Sequence, residues 1–151
     1  MKLRCLALTL FLLATPGALL AKDIPAGPWA GTWSFNLQKC KFPGNPPQKD
    51  EVTIAPDGTV TVNEVSSEGK NITWNYKPQE GVAVPVQGRE NVTVLARKVN
   101  AHRTEQTWNM NGKPAKSFAI LSKDGKTQTF TMDGVDKDGK PFHEVVVYEK
   151  Q

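Results

Sequence analysis

Cysteine and histidine are almost missing from this chain. Of its 151 residues, two are Cys and two are His. Cys5 lies in the N-terminal leader described below, so Cys40 is left without a partner for an internal disulfide. A lone thiol of this kind is a small buried hydrophobe or the seat of an intermolecular disulfide. Lys39 and Lys41 flank it and would lower its pKa if it were exposed. His102 and His143 fall in no metal-spaced cluster. A nucleophile elbow and a glycine-rich phosphate loop are also missing. The carboxylate pair Asp136 and Asp138 sits in a turn, where Asp bonds its own backbone. The chain therefore reads as a non-enzyme with no cofactor and no metal.

Charge of one sign is scarce too. The 19 Lys and Arg stand against 15 Asp and Glu, and two of the basic residues, Lys2 and Arg4, belong to the leader. Lys39 and Lys41 flank Cys40, and Pro and Gly separate them from Lys49, so they form no basic run. A nearly neutral chain with scattered charge gives no footprint for nucleic acid. A transmembrane helix needs about 20 apolar residues, and no such stretch occurs. Leu6 to Leu13 is almost wholly apolar, but Thr9, Thr15, Pro16 and Gly17 interrupt. With its basic start and the small or apolar residues Ala14 to Ala21, this segment has the form of a secretory signal peptide. Cleavage is expected after Ala21, with the large Leu19 at the minus-three position. Residues 1–21 are read as the signal peptide. Residues 22–151 are read as one exported domain, periplasmic or secreted, of a length that suits a single core.

What the mature chain has is strand after strand. Trp33, Phe35 and Leu37 alternate with Thr32, Ser34 and Asn36, the period of a strand with one buried and one wet face. Gly31 would let another piece of backbone come close. Val52 and Ile54, Val60 and Val62, and Ile72, Trp74 and Tyr76 repeat the rhythm. Pro85 confines Val82 to Val86 to a sheet edge or a short crossing segment. Strands resume at Val92 to Val99 and His102 to Met110, then run through Phe118-Ile120, Phe130-Met132 and Phe142 to Lys150. Asp57-Gly58, Glu68-Gly69, Asn111-Gly112, Asp124-Gly125 and Asp138-Gly139 punctuate them, and Asn-Gly is a strong hairpin signal. Helical periodicity is missing, apart from one turn's worth near Leu37 to Phe42. The expected fold is all-β: an up-and-down antiparallel barrel of about eight to ten strands, with no lid helices.

At both ends the chain resembles a family. Gly31-Thr32-Trp33 and Val147-Tyr148-Glu149-Lys150 are similar to the ends of calycin barrels, the lipocalins and fatty-acid-binding proteins. Small secreted bacterial lipocalin-like proteins are more similar still. They share the Lys-rich Pro-Gly-Pro connection, here Lys39 to Pro47, the Ser122 to Lys126 hairpin, and the closing run Asp138 to Lys150. The resemblance covers nearly all of the mature chain and implies the barrel fold. It departs from fatty-acid-binding proteins at Val146, where those carry an internal Arg for the ligand carboxylate. The two-helix lid of that family and the C-terminal helix of lipocalins have no counterpart here.

If Trp33 points inward, the inward sets are Trp33-Phe35-Leu37, Ile72-Trp74-Tyr76, Gln106-Trp108-Met110, Phe118-Ile120, Phe130-Met132 and Phe142-Val146-Tyr148. Such a lumen is either packed solid or an apolar cavity with a few polar handles, namely Tyr76, Gln106, Glu144 and Tyr148. The second case makes the protein a carrier of a compact apolar ligand, held by Trp33, Trp74, Tyr76, Gln106, Trp108, Phe130 and Tyr148. The alternative is a protein-binding envelope or inhibitor module with a filled core. A large empty cavity would favour the carrier.

Overall fold

The computed structural model describes residues 21–151; the signal peptide reading falls outside them, save for Ala21. Ten strands follow in order: β1 Gly31–Phe35, β2 Lys49–Ile54, β3 Val60–Val65, β4 Asn71–Tyr76, β5 Ala83–Pro85, β6 Val92–Asn100, β7 Arg103–Met110, β8 Lys113–Leu121, β9 Thr127–Val135 and β10 Pro141–Lys150. All pair antiparallel in one sheet ordered β4-β3-β2-β1-β10-β9-β8-β7-β6-β5. This is the expected up-and-down barrel. Among the described residues the only helical pieces are two 3-10 turns, Gly27–Trp29 and Leu37–Lys39.

The turns work as their residues dictate. Asn111 and Gly112 both take positive φ, 55° and 81°, as a two-residue hairpin with matched twist requires. Asp57, Ser66, Asp124 and Asp136 each accept backbone N–H groups of their own turn. The Gly of each turn sits in the left-handed region, where any Cβ is strained.

Two edges, β4 and β5, would be left open without a seam. It is closed just beyond β5, where Asn75 and Gln87 exchange backbone hydrogen bonds of 3.0 and 2.8 Å. Gly88 makes this approach possible. A Cβ there would lie 2.4 Å from the Thr73 carbonyl oxygen and 3.2 Å from Trp74 Cα, so only Gly lets the seam shut. Pro85 ends β5 beside this seam, at the sheet edge, where a missing N–H costs no ladder bond.

One end of the barrel is plugged by the segment before β1. Ile24 N–H donates to Pro78, Ala26 N–H to Pro56 and Trp29 Nε1 to Ala101, at 3.1, 3.3 and 2.9 Å. The strap is thereby tied to three connections across that end. Ala26 and Trp29 are buried in it and join the cluster of Trp33, Val52, Val62, Ala119, Leu121, Val146 and Tyr148. Trp33 is the centre: 0 % exposed, paired with Val52 on one side and Lys150 on the other. Its Nε1 donates to the Trp29 carbonyl at 2.9 Å. The close neighbour that Gly31 admits is the Lys150 side chain, not backbone, and Lys150 Nζ stands 5.1 Å over the Trp33 ring.

Three residues do not face inward as expected. Leu37 is 49 % exposed because β1 stops at Phe35 and the chain turns through Leu37–Lys39. Ile120 is 43 % exposed, and Phe118 lies outside under the Arg103 guanidinium, 4.9 Å away. The reason is register. The Asn111-Gly112 hairpin pairs Trp108 with Ala115, and directly paired residues share a face. With Trp108 inward, Ala115, Ser117, Ala119 and Leu121 are inward as well, and all four are buried.

Candidate functional site

The lumen is not packed solid. Above the Trp33 plug lies a cavity of about 1220 Å³, larger than the roughly 300–1,000 Å³ of ordinary small-molecule sites. It reaches the end of the barrel opposite the plug, where Phe42 to Gly44 of the β1–β2 connection, Asn111 of the β7–β8 turn and Lys137 of the β9–β10 turn line it. Small inward residues on β8, chiefly Ala115, Ser117 and Ala119, leave this space between the aromatic walls, whereas Gly134 on β9 adds none. Gly134 itself is filled from two sides, since a Cβ there would meet Ala115 at 2.7 Å and Phe142 at 3.0 Å.

One wall is aromatic. Trp74 and Tyr76 lie near-parallel, centroids 6.2 Å apart and planes at 12°. Trp108 meets both edge-on, at 6.2 and 5.7 Å. These are the favoured arrangements of aromatic quadrupoles. Trp108 Nε1 donates to Ser117 Oγ at 2.8 Å, Ser117 donates to Gln106 Oε1 at 2.7 Å, and Gln106 Nε2 donates to Thr104 at 3.0 Å. Gln106 is thus held by its own chain. Trp74 Nε1 is buried and finds no acceptor among the described residues.

The adjoining wall, on the mouth side, carries charge. Asp50 on β2, Glu64 on β3 and Glu144 on β10 all line the cavity, with Tyr148 below them. Tyr148 donates its hydroxyl to Asp50 Oδ2 at 2.7 Å, while Asp50 Oδ1 is buried with no partner. Arg89, in the β5–β6 connection, pairs with Glu64 at 3.4 Å and stacks over Trp74 at 4.8 Å. Burial, reinforced by the Glu64 charge, raises the Asp50 pKa from 3.8 to about 6 against the hydrogen bond from Tyr148. Burial first, then the neighbouring Asp50 and Glu64 charges, also raise Glu144. The Tyr148 phenol is pushed up by burial and by Asp50, and stays protonated.

Six of the seven residues singled out from the sequence line the cavity: Trp74, Tyr76, Gln106, Trp108, Phe130 and Tyr148. Trp33 does not; it is sealed beneath, in the plug. Asp50, Glu64 and Arg89 did not stand out in the sequence. A signal existed for the acids. Asp50 is two residues from inward Val52, and Glu64 two from inward Val62, so strand alternation carries both inside. Arg89 had none, since only the closing of the seam brings it over Trp74. Cys40 lies apart from the wall. Its thiol donates to the Asn36 carbonyl at 3.1 Å and accepts the Val147 N–H at 3.3 Å. Burial raises its pKa, the reverse of what its lysine neighbours suggested. Both histidines are exposed on the outside of the barrel.

No protein-family profile matches the chain, and no curated protein does. Solved structures do match. A Schistosoma mansoni fatty acid binding protein in complex with arachidonic acid aligns at TM-score 0.55 and 16 % identity, over 84 % of this chain and 98 % of that one. The wild-type fluorescent protein UnaG aligns at TM-score 0.53 and 15 % identity, over 82 % and 97 %. At this identity the likeness shows a shared calycin-type barrel fold.

Proposed function

We propose that this protein is an exported barrel that binds a compact, largely apolar small molecule in its lumen. The observation that carries the reading is the cavity of about 1220 Å³ walled by Trp74, Tyr76, Trp108 and Phe130. A filled core was the premise of the protein-binding alternative, and the lumen is open. The fold shared with a fatty acid binding protein that holds arachidonic acid supports the same class of ligand. Burial of apolar ligand surface contributes roughly 25 cal/mol per Å² before association costs. Micromolar binding therefore needs no charged contact. Titration with Nile red, a neutral apolar dye, is expected to give saturable dye emission with quenching of tryptophan fluorescence. Trp74→Ala, which removes the stacked wall, is expected to weaken binding about tenfold. A dye that never saturates, or one whose affinity ignores Trp74, would count against the lumen as the site.

Export to the periplasm or beyond is supported by the basic start, apolar run and small residues that end at Ala21. Cleavage there would leave the plug whole. Lys22 already contributes to it, its carbonyl accepting the Glu80 N–H at 2.8 Å. N-terminal sequencing of the protein from its own source is expected to start at Lys22. A chain recovered from the cytoplasm with Met1 intact would refute export.

A further inference from the structure

Within the ligand-binding reading, on which this inference rests, the lumen carries more than apolar walls. Its unpaired charges differ from end to end: Asp50 and Glu144 stand on the mouth side, and Lys98 lies at the strap end beside Gly27. Arg89 is the cation nearest these acids, and it is committed to Glu64 and to the Trp74 ring. Asp50 and Glu144 form no ion pair with any described residue. The other lysines that line the cavity, Lys113, Lys137 and Lys140, stand at its margin. Lys137 and Lys140 are exposed, and the Lys113 ammonium donates to the carbonyls of Asp136 and Lys137. A buried carboxylate without a counterion is costly, and in a cleft it is a candidate functional position. One acceptor stands out as unused: Asp50 Oδ1 is buried in the cavity wall and no donor reaches it, although Tyr148 holds the other oxygen in place. A buried acceptor without a donor costs free energy that an incoming donor restores.

We propose that the lumen selects apolar molecules bearing a basic nitrogen, whose ammonium N–H groups meet the Asp50 and Glu144 carboxylates on the mouth side while the hydrocarbon lies against Trp74, Tyr76, Trp108 and Phe130. The preference is opposite to that of a fatty-acid site. The position where the resemblance places a carboxylate-binding Arg holds Val146, which is 2 % exposed and part of the plug. Asp50, two strands away on the mouth side of β2, is held instead by the Tyr148 hydroxyl. An ammonium here would gain charge-assisted hydrogen bonds between apolar walls, where screening is weaker than in bulk water. A carboxylate in the same place would meet two acceptors and a negative field.

The test compares three ligands with one hydrocarbon chain and three heads: decylamine, decanol and decanoate. Each displaces Nile red from the exported protein near neutral pH, below the micellar range. Decylamine is expected to bind about tenfold more tightly than decanoate, with decanol between them. The Asp50→Asn, Glu144→Gln double variant is expected to bind amine and carboxylate about equally, the charge discrimination being gone. Circular dichroism checks that it still folds. The parent comparison stands alone if it does not. Decanoate binding as tightly as decylamine, or an amine preference that survives in a folded double variant, would overturn the assignment. Nile red separates the two readings. If it binds while the amine shows no advantage, only the basic-nitrogen inference fails. If neither dye nor any decyl ligand binds, the carrier reading fails with it.

Discussion

Raising the pH from about 5 to about 7.5 is expected to destabilise the ligand-free barrel, the reverse of ordinary acid denaturation. Asp50 is the main cause. Its folded pKa is about 6 against 3.8 for the free side chain. Between those values the folded chain holds a proton that the unfolded chain has released. Stability therefore falls as pH rises through this window, and the full cost is present above pH 6. Only the unit between pH 5 and the folded pKa falls inside this comparison, so Asp50 accounts for about 1.4 kcal/mol, a sizeable share of the roughly 5–15 kcal/mol that holds a domain together. The groups facing Asp50 are Glu64 from β3, Glu144 and Tyr148 from β10, Arg89 from the β5–β6 connection, and Cys40 from the β1–β2 connection. Glu144 is raised as well and acts in the same direction. Tyr148 and Cys40 are both raised above already basic values, so neither titrates in the window. Asp23, Asp57, Glu105, Asp124 and Glu149 are lowered, each by hydrogen bonds first. Their contributions are lost only as pH drops below the ordinary carboxylate range. Urea unfolding midpoints at the two pH values measure the slope. Asp50→Asn keeps an acceptor for the Tyr148 hydroxyl and is expected to flatten it, raising the midpoint at the higher pH. A parent protein equally stable at both pH values would show that the carboxylate is solvated in the folded state.

The other large effect belongs to Trp33. Trp33→Ala is expected to cost roughly 3–5 kcal/mol, the range for deleting a fully buried aromatic side chain. The loss is greater than side-chain volume alone would give, because Trp33 joins two things. Its ring fills the space between β2 and β10, and its Nε1 donates to the Trp29 carbonyl in the strap. Trp33→Phe keeps most of the ring and removes the donor, and is expected to cost about 1–3 kcal/mol through the orphaned carbonyl. Trp74→Ala provides the contrast, since that ring faces the open cavity and is only partly buried. Denaturant titration of the three variants should rank them in that order of damage for the Trp33 pair, with Trp33→Ala the worst of all. If Trp33→Ala unfolds no more easily than Trp74→Ala, the plug is not the keystone of the barrel.

Much of the barrel was legible because antiparallel meanders are governed locally. The alternation of Ile72, Trp74 and Tyr76 names a face, and Asn111-Gly112 names a turn and with it a register. Even the outward placement of Phe118 and Ile120 follows from that hairpin once Trp108 is inward, since Trp108 pairs with Ala115. The error came from reading each strand's larger residues as its inner face. On β8 the inner face is the small one. Apolar size is a poor guide where an outer face offers a guanidinium to stack on, as Arg103 does for Phe118.

By itself, then, the sequence determined the strands, their order and the parity of nearly every side chain, including that of Asp50 and Glu64. These depend on alternation and on turn residues, which act over a few positions. Three things were decided only in the closed structure. Residues 24–30 fold back to plug one end, through bonds to Pro56, Pro78 and Ala101 that no local pattern specifies. Arg89 reaches Trp74 and Glu64 only when Gly88 lets the seam close. The lumen stays open because the width of a ten-stranded barrel exceeds what its inward side chains fill. Width is a property of the whole sheet, set by strand number and stagger together, so no stretch of the chain carries it.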